Sequence, residues 1–277
     1  MKQVRALVGD TFREASSSFV LVGFAALSTL FLLIVLFAVN LDVVNGTLAA
    51  GSLFGKSVDF GGKAIPVEQF VFGVEAGFSA ALYLMGMFLS IFAVGSVVPR
   101  QVEKGNVDLY LSRPVSRTKL LLSRYLGGLA VAAVNLGYLS IGIWLILSTK
   151  THVWNVRFLV AGLFTLATFA AFEGFVFLLG VVTGSTPISI MLPYFLFFAS
   201  AFLSMHKQIA AALSSDLSAG LIHVLYWILP KTADIGKELT GYTHGDGQLT
   251  ALPLLTTIAF GAVCLTLSVL IFRKRDY

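Results

Sequence analysis

Few residues in this sequence of 277 are placed to do chemistry. Ala50-Gly51-Ser52-Leu53-Phe54-Gly55-Lys56-Ser57 fits the loose form of a phosphate-binding loop, in which backbone amides, a lysine and a hydroxyl surround a nucleotide's phosphates. That chemistry needs a buried strand before the loop and a helix opening directly after it. Here an apolar stretch of span length precedes the motif, and the following Val58-Asp59-Phe60-Gly61-Gly62-Lys63-Ala64-Ile65-Pro66 cannot begin a long helix. The reading is therefore that the chain is not its own ATPase, with no catalytic residue and no cofactor.

Glu75 and Glu173 fall inside apolar stretches. A carboxylate at mid-bilayer costs several kcal/mol unless it is protonated or paired, so by default it lines the bundle interior or a wet cavity. Glu173 fits two roles, bonding a neighbouring helix or handling substrate or protons. Glu75 is placed about a turn from the outer end of its stretch, within reach of headgroups. His152, His206, His223 and His244 lack metal-ligand spacing, and Cys264 is the only cysteine, so no metal site and no intrachain disulfide are expected. No Gly-x-Ser-x-Gly elbow occurs, which argues against an intramembrane hydrolase. Asn45-Gly46-Thr47 is a glycosylation sequon, a pattern that also arises by chance.

The elements that must position these groups are apolar helices. Hydrophobic residues make up 57% and charged residues 12%, about half the charge of a soluble domain. The mean hydropathy of +0.89 fits runs of roughly 20 apolar residues, enough to span a bilayer as helices. Six segments qualify: 18–40, 71–98, 125–147, 158–183, 188–205 and 252–272. Pro193 should kink the fifth. The expected fold class is an all-α integral membrane protein, a single transmembrane domain over residues 1–277.

Charge sets the orientation. With the N-terminus inside, the inner segments hold twelve basic residues in 52 positions and the outer ones seven in 86. That bias follows the positive-inside rule and places both termini in the cytoplasm of a cell whose plasma membrane the chain spans. The net charge of +5 reflects this topology; nucleic-acid binding would need a continuous basic face.

Met1, Val4, Val8, Phe12 and Ala15 repeat at helical spacing, predicting an inner interfacial helix over 1–17 that is retained and not cleaved as a signal. In the outer segment 206–251 a second interfacial helix is expected around Ile209–Leu229, ended by Pro230, with Tyr226 and Trp227 at the interface. Gly127, Gly128, Ala130, Ala132 and Ala133 offer a smooth face for helix packing. The many phenylalanines of the fourth and fifth spans are packing or lipid-facing bulk, or a conduit for a lipophilic cargo.

The most informative segment is the inner loop 99–124. Val107, Leu109, Tyr110 and Leu111 supply apolar contacts, Arg113-Pro114 disfavours helix, and Ser116 is a suitable N-cap for a helix entering the third span. The expected object is helix, sharp turn, helix against the inner face. It fits a load-bearing dock for a partner, and equally a charged loop that only fixes topology.

Glu103-Lys104-Gly105 followed by Leu109-Tyr110-Leu111-Ser112-Arg113-Pro114-Val115-Ser116-Arg117 is similar to the loop of ABC transporter permeases of the exporter-type (ABC-2) superfamily, where a glutamate and a glycine precede a leucine-rich stretch and a Ser-x-Pro-x-Ser-Arg turn. Thr11-Phe12-Arg13-Glu14, Leu229-Pro230-Lys231 and Phe272-Arg273-Lys274-Arg275-Asp276 also resemble that family. The resemblance is nearest to the single-domain permeases that include the nitrous-oxide-reductase maturation transporter. Asn106 departs from it, standing where the family often has threonine.

The resemblance implies an export permease, paired with a second copy or a paralogue, on which two ABC ATPase subunits dock. Glu103, Gly105, Pro114 and Arg117 would then form or shape the docking surface, on a cytoplasmic coupling helix between spans two and three. Two other readings remain: a proton-coupled secondary carrier using Glu173, and a membrane assembly factor that transports nothing.

Overall fold

The computed structural model describes residues 19–44, 47–53, 56–58, 66–102, 116–212 and 216–274. Helix α1 (Phe19–Ala38) leads into a three-stranded antiparallel sheet of β1 (Val39–Val44), β2 (Thr47–Leu53) and β3 (Lys56–Val58). The ladder pairs Val39 with Leu53 and Gly51 with Val58, and its register shifts between Asp42 and Val43. The described residues are predominantly helical, as expected, while 41–44, 47–53 and 56–58, expected to be part of an outer loop, pair as strands. Lys56 and Ser57 lie on β3, so this lysine-serine pair stands on a strand and not at the start of a helix.

The remaining described elements are helical: α2 (Val67–Gly95), α3 (Val97–Val102), α4 (Arg117–Thr151), α5 (Val156–Thr183), α6 (Thr186–Leu203), α7 (His206–Ala212), α8 (Asp216–Ile228), α9 (Thr232–His244) and α10 (Ala251–Lys274). Five helical stretches are long and apolar enough to cross a membrane: Val67–Pro99, Arg117–Thr151, Val156–Thr183, Thr186–Leu203 and Ala251–Lys274. They coincide with the expected spans two to six. The first expected span coincides with α1, whose described apolar stretch is the shorter Ala25–Phe37.

Local chemistry sets the ends of these helices. Ser116 has extended backbone (φ −67°, ψ 143°) and its hydroxyl accepts the Lys119 N–H at 3.4 Å, so it caps α4 as its residue type predicts. Helix α4 then runs 35 residues, roughly 50 Å against a hydrocarbon core of about 30 Å. It ends where His152 turns into the left-handed region at φ 59°. Asn155 caps α5, accepting the Arg157 N–H at 3.2 Å. Pro193 sits inside α6, a helix that continues through it.

Helix α5 is the axis of the bundle. Its Phe169, Phe172 and Val176 join Tyr83, Met87, Ile91 and Val94 of α2 and Ile235 and Leu239 of α9 in the largest core cluster. Against α10 the backbones themselves touch: a Cβ on Gly174 would lie 2.5 Å from the Gly261 carbonyl oxygen, and one on Gly261 2.4 Å from Ala171 Cα. Small residues let helices approach this closely where dispersion, and not water, drives association. The outward faces are greasy instead of charged; on α6, Phe195, Phe198 and Phe202 are each at least half exposed.

The segment after α6 departs most from expectation. Where one interfacial helix is expected around Ile209–Leu229, the chain forms α7 and α8, breaks at Pro230, and continues as α9, which packs along α2, α5 and α6. The start of α9 lies beside Tyr83, deep on α2, where Tyr83 Oη donates to the Thr232 carbonyl at 2.7 Å. Its end lies beside Gly73 and Phe72, near the start of α2. Helix α9 thus climbs from the middle of α2 to the end of the bundle that carries Asn155.

Candidate functional site

At the opposite end of the bundle, Arg117 is the first residue of α4, directly after the Ser116 cap. Glu103, Gly105 and Pro114 lie outside the described residues. What the structure describes is the base from which their segment departs. Val98 of α3 and Leu121 of α4, on the two sides of that segment, share one buried cluster with Phe177 and Val181 of α5 and Phe272 of α10. Gly180 makes this possible, because a Cβ there would stand 2.7 Å from Val98 Cβ and 3.2 Å from Pro99 Cδ. One turn along α4, Tyr125 packs edge-on against Phe177 and donates its hydroxyl to the Ala170 carbonyl at 2.9 Å. The two stems of residues 103–115 are therefore joined to each other and to the central helix.

Glu75 and Glu173 are both fully buried, and none of the four carboxyl oxygens has a hydrogen-bond partner among the described residues. Glu173, at the centre of α5, lies in the notch left by Gly128 of α4; a Cβ on Gly128 would meet Glu173 Oε1 at 2.1 Å. The smooth glycine face of α4 thus has a specific occupant. The placement of Glu75 near headgroups is corrected. It sits two turns into α2 with no exposed surface, because α9 and the start of α5 cover that face. Asn155 faces it, and the Asn155 amide donates to the Thr243 carbonyl at 3.0 Å, tying α5 to α9. Ser79, one helical turn from Glu75, is also buried without a partner. A buried acid with spare lone pairs can take up a proton or receive a donor from a moving helix, and both acids have that capacity.

A third polar centre was not singled out from sequence. Lys231, at the turn before α9, is 2% exposed yet meets no carboxylate in a salt bridge among the described residues. Its ammonium lies 4.3 Å from the Trp227 ring centroid and 4.7 Å from that of Tyr226, and bonds Thr256 Oγ1 at 3.2 Å. Two aromatic faces therefore stabilise the cation, by about 0.5–2 kcal/mol each. Tyr226 in turn stacks on His206 and donates to Asp234 at 2.9 Å. The sequence signal was Tyr226-Trp227 followed by Pro230-Lys231, which shows its meaning only once the chain turns back. His206 and His223 have ring centroids 5.2 Å apart and His244 contacts Asp246 at 2.5 Å; no group of three metal-ligating side chains occurs among the described residues.

Five long apolar helices, four of them arranged around the fifth, α5, are compatible with a multi-pass membrane protein. Residues 56–277 match the family described as "Protein of unknown function (DUF2705)", and the chain belongs to that family. No curated protein matches it.

Proposed function

We propose that this chain is the membrane permease subunit of an ATP-driven exporter, working as a pair with a second copy or a paralogue and driven by two separate ATPase subunits. In this reading α1 is a sixth span, both termini are cytoplasmic, and the ATPase grips residues 99–124 from the cytoplasm. The observation that carries it is the joined base of that segment. Val98 and Leu121 are packed on Phe177, Val181 and Phe272, so force applied to residues 103–115 reaches α5 and α10 without being lost in a loose connection. The length of α4 supports the same reading, since its first turns project beyond a bilayer core and carry Arg117, Lys119 and Arg124. The resemblance of residues 103–117 to the ABC-2 permease loop supplies the nature of the partner.

Reversing charge at both Glu103 and Arg117 tests this. The reading expects that an ATPase no longer co-purifies and that ATP-dependent export stops. Retained ATPase binding and export in the Glu103→Lys, Arg117→Glu variant would overturn it.

The second reading, a proton-coupled carrier, is favoured by one observation: Glu173 is a fully buried carboxyl without a partner, in a glycine notch at mid-bundle. Glu173→Gln separates the two. An ATP-driven permease keeps transporting with glutamine there, and a proton-coupled carrier stops and loses its dependence on the proton gradient.

A further inference from the structure

Between α2, α6 and α9 lies an open groove of about 510 Å³, within the range of about 300–1,000 Å³ typical of small-molecule sites. Its walls are Ala80 and Leu84 of α2, Phe197, Phe198 and Ala201 of α6, and Ala233 of α9, all apolar.

The polar groups that line it are already engaged. Tyr83 Oη donates to the Thr232 carbonyl, Thr232 Oγ1 to the Phe197 carbonyl at 3.3 Å, and Thr240 Oγ1 to the Gly236 carbonyl at 2.9 Å. The exception is Lys237, exposed at the rim where α6 ends. Among the described residues its ammonium bonds only a hydroxyl, Ser204 Oγ at 3.1 Å, and keeps further donors. The two carboxylates on α9 are occupied elsewhere: Asp234 accepts from Tyr226, and Glu238 accepts the Thr250 N–H at 3.0 Å and the Thr250 hydroxyl at 2.5 Å. The groove therefore offers hydrocarbon along its length and one positive charge at its mouth. A sugar, a peptide or a polar metabolite would leave its own hydrogen bonds unmet there. A chain of methylenes with a single anionic head would not.

We propose that the groove holds an acyl chain of an anionic phospholipid from the surrounding bilayer, with the headgroup phosphate on Lys237. The lipid wedges between α2 and α6 under α9. Its occupancy rests only on the chain being embedded in a membrane, and not on the exporter reading.

The test uses the full chain in nanodiscs of equal phosphatidylcholine and phosphatidylglycerol, without ATPase or nucleotide, with retained lipids counted by native mass spectrometry after transfer to detergent. The wild type should retain phosphatidylglycerol in preference to phosphatidylcholine. Lys237→Ala should lower that preference about fivefold, the effect of one basic side chain at a membrane surface, and Lys237→Arg should preserve it. Ala201→Trp, which fills the groove, should remove the tightly held lipid of either kind. Equal retention of the two lipids by the wild type, or an unchanged preference in Lys237→Ala, would overturn the proposal. So would a groove covered by a second copy, seen as a lipid-free dimer that Ala201→Trp dissociates. Lys237 is exposed, so its variants give an answer even where Ala201→Trp does not fold.

Discussion

Gly180 of α5 and Val98 of α3 approach so closely that a single methyl group on the glycine would lie 2.7 Å from the valine Cβ. This contact joins the stem of residues 103–115 to the central helix. Gly180→Val should force the stem away and lower stability by about 1–3 kcal/mol, the usual cost of overpacking. Gly137→Ala on α4, where a Cβ meets nothing within 4 Å, should be neutral or slightly stabilising. Thermal unfolding in detergent distinguishes the two, and equal melting temperatures would refute the contact.

Tyr83 and Thr232 hold the deep end of α9 against α2 by a buried 2.7 Å hydrogen bond. Tyr83→Phe keeps the packing but removes the second bond to the Thr232 carbonyl, which as a first-turn carbonyl still accepts within α9, at a cost of about 0.5–1.5 kcal/mol. Hydrogen exchange should show the loss concentrated in α9, with the amides of α4 unaffected.

Asn155 serves two helices at once, accepting the Arg157 N–H as a cap and donating to the Thr243 carbonyl. Asn155→Ala removes both and should cost about 2 kcal/mol or more. Asn155→Asp keeps the cap but loses the donor and faces Glu75 with a second acid. Its deficit should shrink when Glu75→Gln is added, and chemical denaturation of the four variants reads this coupling directly.

The notch under Glu173 makes a further pair testable. Gly128→Ala sets a methyl 2.1 Å from Glu173 Oε1 and 2.6 Å from Val94 Cγ1, and should destabilise strongly. Shortening Glu173 to alanine in the same chain should recover part of that loss, with an interaction energy of about 1–3 kcal/mol in a double-mutant cycle. Strict additivity would mean that the two side chains do not share the space.

The long apolar helices were legible because their signal is local: an uncharged run of span length reads as a helix wherever it packs. Ser116 was legible for a similar reason, since a cap needs only its own turn. Helix α9 was not, and Thr232–His244 shows why. Its threonines, Lys237 and Glu238 read as a polar loop, yet in the fold Thr240 and Thr243 bond carbonyls of their own helix and Glu238 bonds Thr250. Once such groups satisfy each other, a polar-looking segment can pack among apolar helices. The burial of Glu75 went unseen because it depends on what covers it, and Asn155 and α9 arrive from 80 and more residues away. The strands over 39–44, 47–53 and 56–58 lacked a clear alternation to read.

The glycine contact between α5 and α10 limits how this bundle can move. With Gly174 and Gly261 pressed backbone to backbone, neither helix can bring a bulkier residue into the contact without being pushed away from the other. The pair is a strut. A rearrangement of the bundle that keeps this contact moves α5 and α10 as one unit against their other neighbours, and the carboxyls of Glu75 and Glu173 face two of these, α9 in one case and α4 in the other.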